Sequence, residues 1–370
     1  MVAPTRTRTI DFDPDLDLDL GGPEHPAAVP GMVVLRVPRI GWSTRVHARA
    51  VAVTIVLLAL AFAVFCWSLA VGDFPIALSD VLSSLFGAGN PDTDFIVRTL
   101  RLPRGLTALL VGAAFGLSGA IFQRLTRNPL ASPDIIGINA GAAAAGVLAI
   151  VVWHAPPAQV TLAALVGALG TALAIYGLAY KQGVTGYRLV LVGIGITAML
   201  TSVVSYLLTR AEIFEAQRAT VWLTGSLNGR SWDHVRPMGW ALLVLIPVTV
   251  ALARQLRLLE LGDDTARGLG SRVEGARAAL LLAGIATASA GPIGFVALVS
   301  PQIARRLVGP QSVGLLPAAA CGTLLVVASD LVGRRIFTPT ELPVGIVTAV
   351  LGAPYLLLLL AQANRIGRGG

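Results

Sequence analysis

Residues 101–137 read RLPRGLTALLVGAAFGLSGAIFQRLTRNPLASPDIIG. Arg101 and Arg104 stand at one end of an apolar, helix-forming run. A polar elbow broken by proline stands at the other: Arg127, Asn128, Pro129, Ser132 and Pro133. Between them the residues are small, and Gly112, Gly116 and Gly119 fall on or near one helical face. Small residues at this spacing let helix backbones approach closely within a membrane. The stretch therefore predicts a membrane helix that packs tightly on its neighbours and has both ends specified.

The rest of the chain agrees with that reading. Of 370 residues, 55% are hydrophobic and only 13% are charged, against about 25% charge in a soluble domain. Mean hydropathy is +0.76. The apolar residues gather in runs of about 20, enough to cross about 30 Å of hydrocarbon. The fold class expected is an all-α polytopic membrane protein. The net charge of +8 does not indicate nucleic-acid binding, because the arginines sit mostly in short loops between apolar runs, where they set topology. Cys66 and Cys321 both lie in apolar stretches without other ligand types nearby, and read as small core residues.

Apolar segments fall at 50–71, 101–124, 136–154, 160–180, 188–209, 237–256, 277–296, 297–309, 312–332 and 343–361. The eighth is short and interrupted by Pro301, so it reads as a broken or re-entrant helix. Such a segment is stable at depth only if packed in protein or lining a cavity. Counting it gives about ten transmembrane helices, with both termini on one side. The arginine bias places that side in the cytoplasm. A minority of arginines, among them Arg98, Arg101, Arg104, Arg334 and Arg335, falls outside, and topology alone does not explain them. Residues 1–45 include DFDPDLDLDL (Asp11–Leu20) and several prolines; low complexity and like charge predict a disordered cytoplasmic tail. The membrane domain then covers 46–364, and 365–370 form a short cytoplasmic tail.

Absent motifs narrow the function. The sole lysine, Lys181, follows Ala179 and Tyr180 rather than a glycine-rich loop, so the chain has no P-loop of its own. It contains no HExxH, CxxC or GxSxG, and its four histidines are scattered. An enzyme is not expected. Acidic groups at mid-depth, which ion-coupled carriers use, are almost missing: Asp330 and Glu341 lie near segment ends and Asp134 in the elbow. The pattern describes a pathway driven by something else, with a self-powered secondary transporter as the alternative.

Three further segments are polar or broken. LRLLELGDDTARGLG (Leu256–Gly270) reads as two short amphipathic helices on the cytoplasmic face, divided at Gly262. AGPIGFVALVSPQIARRLVGP (Ala290–Pro310) has Pro292, Gly294 and Pro301 interrupting an apolar run, as a gate or a kink requires. GRRIFTPTELPVGIVTAVLGAP (Gly333–Pro354) gathers Arg334, Arg335 and Glu341 at the outer mouth before Pro343 opens the last span.

In order and spacing, these four segments resemble the FecCD-type permeases. These are membrane subunits of type II ABC importers for ferric siderophores, haem or vitamin B12. The resemblance covers about residues 50–363. It implies a vitamin B12 permease-like fold of ten spans and a second permease subunit, identical or homologous. It also implies two ABC ATPase subunits below and an extracytoplasmic substrate-binding protein above, all in the bacterial plasma membrane. Ferric siderophore is the substrate expected, with haem or vitamin B12 as alternatives. No cofactor is expected on this chain; ATP and Mg would be used by the ATPase. The resemblance places Arg101, Arg104 and Arg334, with Arg335 as an extra candidate, where the binding protein docks. It places Leu261, Gly262, Ala266, Leu269 and Gly270 on the ATPase. Gln123, Asn128, Pro129, Pro292, Gly294, Pro301 and Gln302 are candidates for a cavity or gate. The chain departs from many relatives at Gln302, where they carry histidine, so a role tied to histidine protonation is not carried over.

Overall fold

A computed structural model describes residues 32–37, 42–72, 74–133, 137–180, 186–260, 293–309, 314–338 and 340–366. Two strands, β1 (Met32–Val37) and β2 (Trp42–His47), pair antiparallel with Val34 opposite Arg45. Part of the stretch expected to be a solvated tail is thus paired and runs directly into helix α1 (Ala48–Ala70). The other helices are α2 (Leu78–Phe86), α3 (Pro91–Asp94), α4 (Leu102–Leu125), α5 (Ile138–Val151), α6 (Pro157–Ala179) and α7 (Gly186–Arg210). They are followed by α8 (Ile213–Leu223), α9 (Trp232–Glu260), α10 (Val296–Val308), α11 (Leu315–Arg335) and α12 (Val344–Ile366).

Each apolar segment expected from the sequence coincides with a helix, except 277–296, most of which lies outside the described residues. Among the described residues, five helices are long and apolar enough to cross a membrane by themselves. One of them is continuous from Pro91 to Arg124, 34 residues, or about 50 Å at 1.5 Å per residue. It outreaches the hydrocarbon, which leaves its arginine-bearing end free to stand outside. The turn Phe95–Arg101 of this helix is π-helical. It immediately precedes Pro103, whose missing N–H cannot close a regular helical bond.

The glycine face of α4 meets two helices. A Cβ on Gly112 would lie 2.4 Å from the carbonyl oxygen of Gly322, and one on Gly116 2.2 Å from that of Ala318, both in α11. A Cβ on Gly119 would lie 1.7 Å from the carbonyl oxygen of Ala297 in α10. That carbonyl is special: its regular helical donor would be the amide of residue 301, and Pro301 has none. The Ser300 hydroxyl donates to the carbonyl of Val296 one step earlier. The expected broken segment is therefore packed in protein, with residues 296–302 all buried.

A second group, α5 to α8, packs mainly on itself. Gly141 and Gly167 let α5 and α6 touch backbone to backbone. Gly137 adopts φ 96° at the start of α5, so it serves the turn into that helix as well as its approach to Thr197 of α7.

Candidate functional site

The N-terminal end of α4 meets the C-terminal end of α11 around one aspartate. Asp330 is 4% exposed. Its Oδ1 accepts from Arg104 Nε at 3.1 Å and from Nη2 at 3.0 Å. Its Oδ2 lies 3.2 Å from Nε of Arg334, four residues on in the same helix; this is an ion pair off the line of a hydrogen bond. Arg104 Nη1 donates at 2.8 Å to Oε2 of Glu341. The fork of one guanidinium thus joins two carboxylates, the geometry that makes arginine suited to this task.

The backbone explains why Glu341 arrives there. After α11 the chain turns back, and Leu342 N–H donates to Gly333 C=O at 2.9 Å. A Cβ at Gly333 would stand 2.7 Å from Leu342 O, so only glycine admits the returning strand. Three residues further, Gly345 N–H donates to Gly225 C=O at 3.0 Å, which ties the top of α12 to the loop between α8 and α9.

The four expected docking arginines are used differently. Arg104 and Arg334 come together on Asp330. Arg101 instead closes the end of α1, donating from Nη1 to the carbonyls of Leu69 (2.7 Å) and Ala70 (3.1 Å) and from Nη2 to Phe74. The first two are carbonyls of the last turn of α1, which a helix end leaves without internal donors. Arg335 is exposed, with one long contact of 3.5 Å to Gly72 O. Arg98, another outer arginine that topology left over, caps α2 through the carbonyls of Ser84 and Leu85.

At the C-terminal end of α4, three of the expected gate residues converge. Gln123 Nε2 donates to Leu298 O at 3.0 Å. Gln302 Nε2 donates to Gln123 Oε1 at 2.6 Å and to Pro129 O at 2.8 Å. Both glutamines are buried, so this chain of bonds fastens α4, the elbow and α10 together where unpaired polar groups would be costly. Asn128 is exposed and turns the elbow, its Oδ1 accepting from Leu130 N–H at 2.9 Å. Gly294 lies in the break before α10, and its carbonyl accepts from Thr348 Oγ1 of α12 at 3.0 Å. Pro301 is buried within α10. Pro292 and the expected ATPase-contact residues Leu261, Gly262, Ala266, Leu269 and Gly270 lie outside the described residues.

Asp330 was not among the site residues expected from the sequence, and Glu341 was placed at the mouth without a partner. A signal existed: Asp330 and Arg334 have the i, i+4 spacing of a helical ion pair, and an acid within an apolar span is costly unless used. Among the described residues, no three His, Cys, Asp or Glu side chains gather as metal ligands would.

A buried polar tie stands at each end of a glycine-packed helix, inside a bundle whose long apolar helices define a polytopic membrane protein. The chain belongs to the FecCD transport family, whose model matches residues 57–362. It is 43% identical to the ferric enterobactin transport system permease protein FepG of Escherichia coli (strain K12), over 81% of this chain and 92% of that one. It is also 43% identical to the achromobactin transport system permease protein CbrC of Dickeya dadantii (strain 3937), over 82% and 90%. Among solved structures it resembles one described as a metal-chelate type ABC transporter in an inward-facing conformation. The TM-score is 0.75 and the identity 27%, covering 84% of this chain and 99% of that one.

Proposed function

We propose that this chain is the permease subunit of an ATP-driven importer of ferric siderophores. The observation that carries the reading is near-full-length similarity to several iron-chelate permeases, led by 43% identity to a ferric enterobactin permease. Two permeases, identical or homologous, would enclose the pathway. Two ATPases would dock below, around residues 256–270, and use ATP and Mg there; this chain holds no cofactor. A substrate-binding protein would dock above, at the arginines around Asp330. The membrane is the bacterial plasma membrane, with both termini cytoplasmic.

The test is reconstitution in liposomes with the ATPase and the binding protein, followed by uptake of radioactive iron on a panel of catecholate, hydroxamate and carboxylate siderophores. ATP-dependent uptake of at least one is expected. Transport by the purified chain alone, driven by an ion gradient, would overturn the reading. Uptake of vitamin B12 or haem in place of every iron chelate would reassign the substrate.

A further inference from the structure

Arg104 holds two carboxylates under very different conditions. Asp330 is buried and faces guanidinium groups on both oxygens, so it is fixed. Glu341 is 34% exposed and takes one bond, from Arg104 Nη1. It stands on residues 341–343, which are not helical and lead directly into α12. Within the group, two cations, Arg104 and Arg334, balance two anions when closed, and exposed Arg335 stands beside it as a further cation. Without Glu341 it carries one net positive charge, and Arg104 Nη1 loses its acceptor. That is the complement of a single carboxylate.

We propose that Glu341 is an internal stand-in for a carboxylate of the docking protein. The incoming acid takes Glu341's place on Arg104, and Glu341 leaves. This rests on the docking reading given above. Docking is then an exchange of one carboxylate for another, with Asp330 keeping both guanidinium groups in position throughout. In the closed site each nitrogen of the Arg104 fork already has a carboxylate acceptor. Opening it removes the side-chain tie and leaves the bonds of Leu342 to Gly333 and of Gly345 to Gly225 to hold the top of α12.

The test measures binding and dissociation of the substrate-binding protein on the complete transporter in nanodiscs. The variants are Glu341→Gln, Arg104→Gln and the double variant. If exchange operates, Glu341→Gln removes the competitor and tightens binding by about tenfold, the worth of one charged hydrogen bond. The gain falls in a slower dissociation rate and persists between about 0.15 M and about 0.5 M salt, where long-range attraction is screened. It disappears in the double variant, because Arg104 is the shared site. A gain confined to the association rate and lost at high salt reflects steering alone and overturns the exchange. So does unchanged or weaker binding by Glu341→Gln while Arg104→Gln still weakens docking. Unchanged docking in Arg104→Gln overturns the docking reading itself. If Arg104→Gln does not assemble, Arg104→Lys, which keeps the charge and loses the fork, is read in its place with the same outcomes.

Discussion

Helices α4 and α7 are similarly apolar, and each is long enough to cross a bilayer. In α4, 78% of the most apolar window is buried inside the subunit; in α7 only 17% is. Their glycines show the same contrast. Gly119 of α4 has no room for a methyl group, whereas a Cβ on Gly195 of α7 would meet nothing within 4 Å. Large side chains on α7, such as Leu191, Ile194, Met199 and Tyr206, are exposed. Hydrophobicity in a membrane protein says that a helix is inserted. It does not say which helices it packs against, because lipid tails are as apolar as leucine. Small residues and paired polar groups mark the centre of the subunit; exposed large ones mark the surface offered to lipid or to a second subunit.

The contrast can be broken most strongly at Asp330. Replacing it with alanine leaves the largely enclosed Arg104 and Arg334 without their shared anion, with only Glu341 remaining on Arg104, at a cost of up to about 3 kcal/mol. Thermal unfolding in detergent should show a marked fall, while Met199→Ala on the exposed face of α7 should show little. Next is Gly119→Ala, where backbone faces backbone and α4 must move off α10; about 1–3 kcal/mol is expected. Gly195→Ala makes the same chemical change without a clash. It should be neutral or stabilise by up to about 1 kcal/mol, the usual helix-propensity difference. Between these lies Gln302→Leu, which leaves Gln123 Oε1 buried without its donor. It should cost about 1–3 kcal/mol and speed proteolysis at the 127–133 elbow. If Gly195→Ala proved as damaging as Gly119→Ala in the isolated permease, the division between core and surface helices would fail. If it damaged only the assembled transporter, α7 would be assigned to the subunit interface.

Much of α4 was legible in advance. The spacing of Gly112, Gly116 and Gly119 named its packing face, and Arg104 with the elbow marked its ends. The Pro301 interruption correctly announced a short helix that needs protein around it. Gly195 was not distinguishable from Gly119 by residue type, since the difference lies in what stands opposite, and that is tertiary. The Arg104–Asp330 pair joins residues 226 positions apart, beyond any local pattern. Arg101 shows the reverse limit: its place in the sequence motif was clear, yet its structural work is to close α1. The π-turn before Pro103 was also invisible, because a proline near a helix start is ordinarily read as its first turn.

Pro301 removes one rung from the hydrogen-bond ladder of α10, and Ser300 bonds back to Val296 beside the gap; both features favour bending at that point. Gly119 presses on the same spot from α4. The arrangement is that of a lever resting on a fulcrum: the half of α10 nearest Gly294 and Thr348 can tilt one way while the half nearest Gln302 and the elbow tilts the other. A push on α12 near Thr348 would then reach the Gln302 end of α10 as a rotation about one backbone contact.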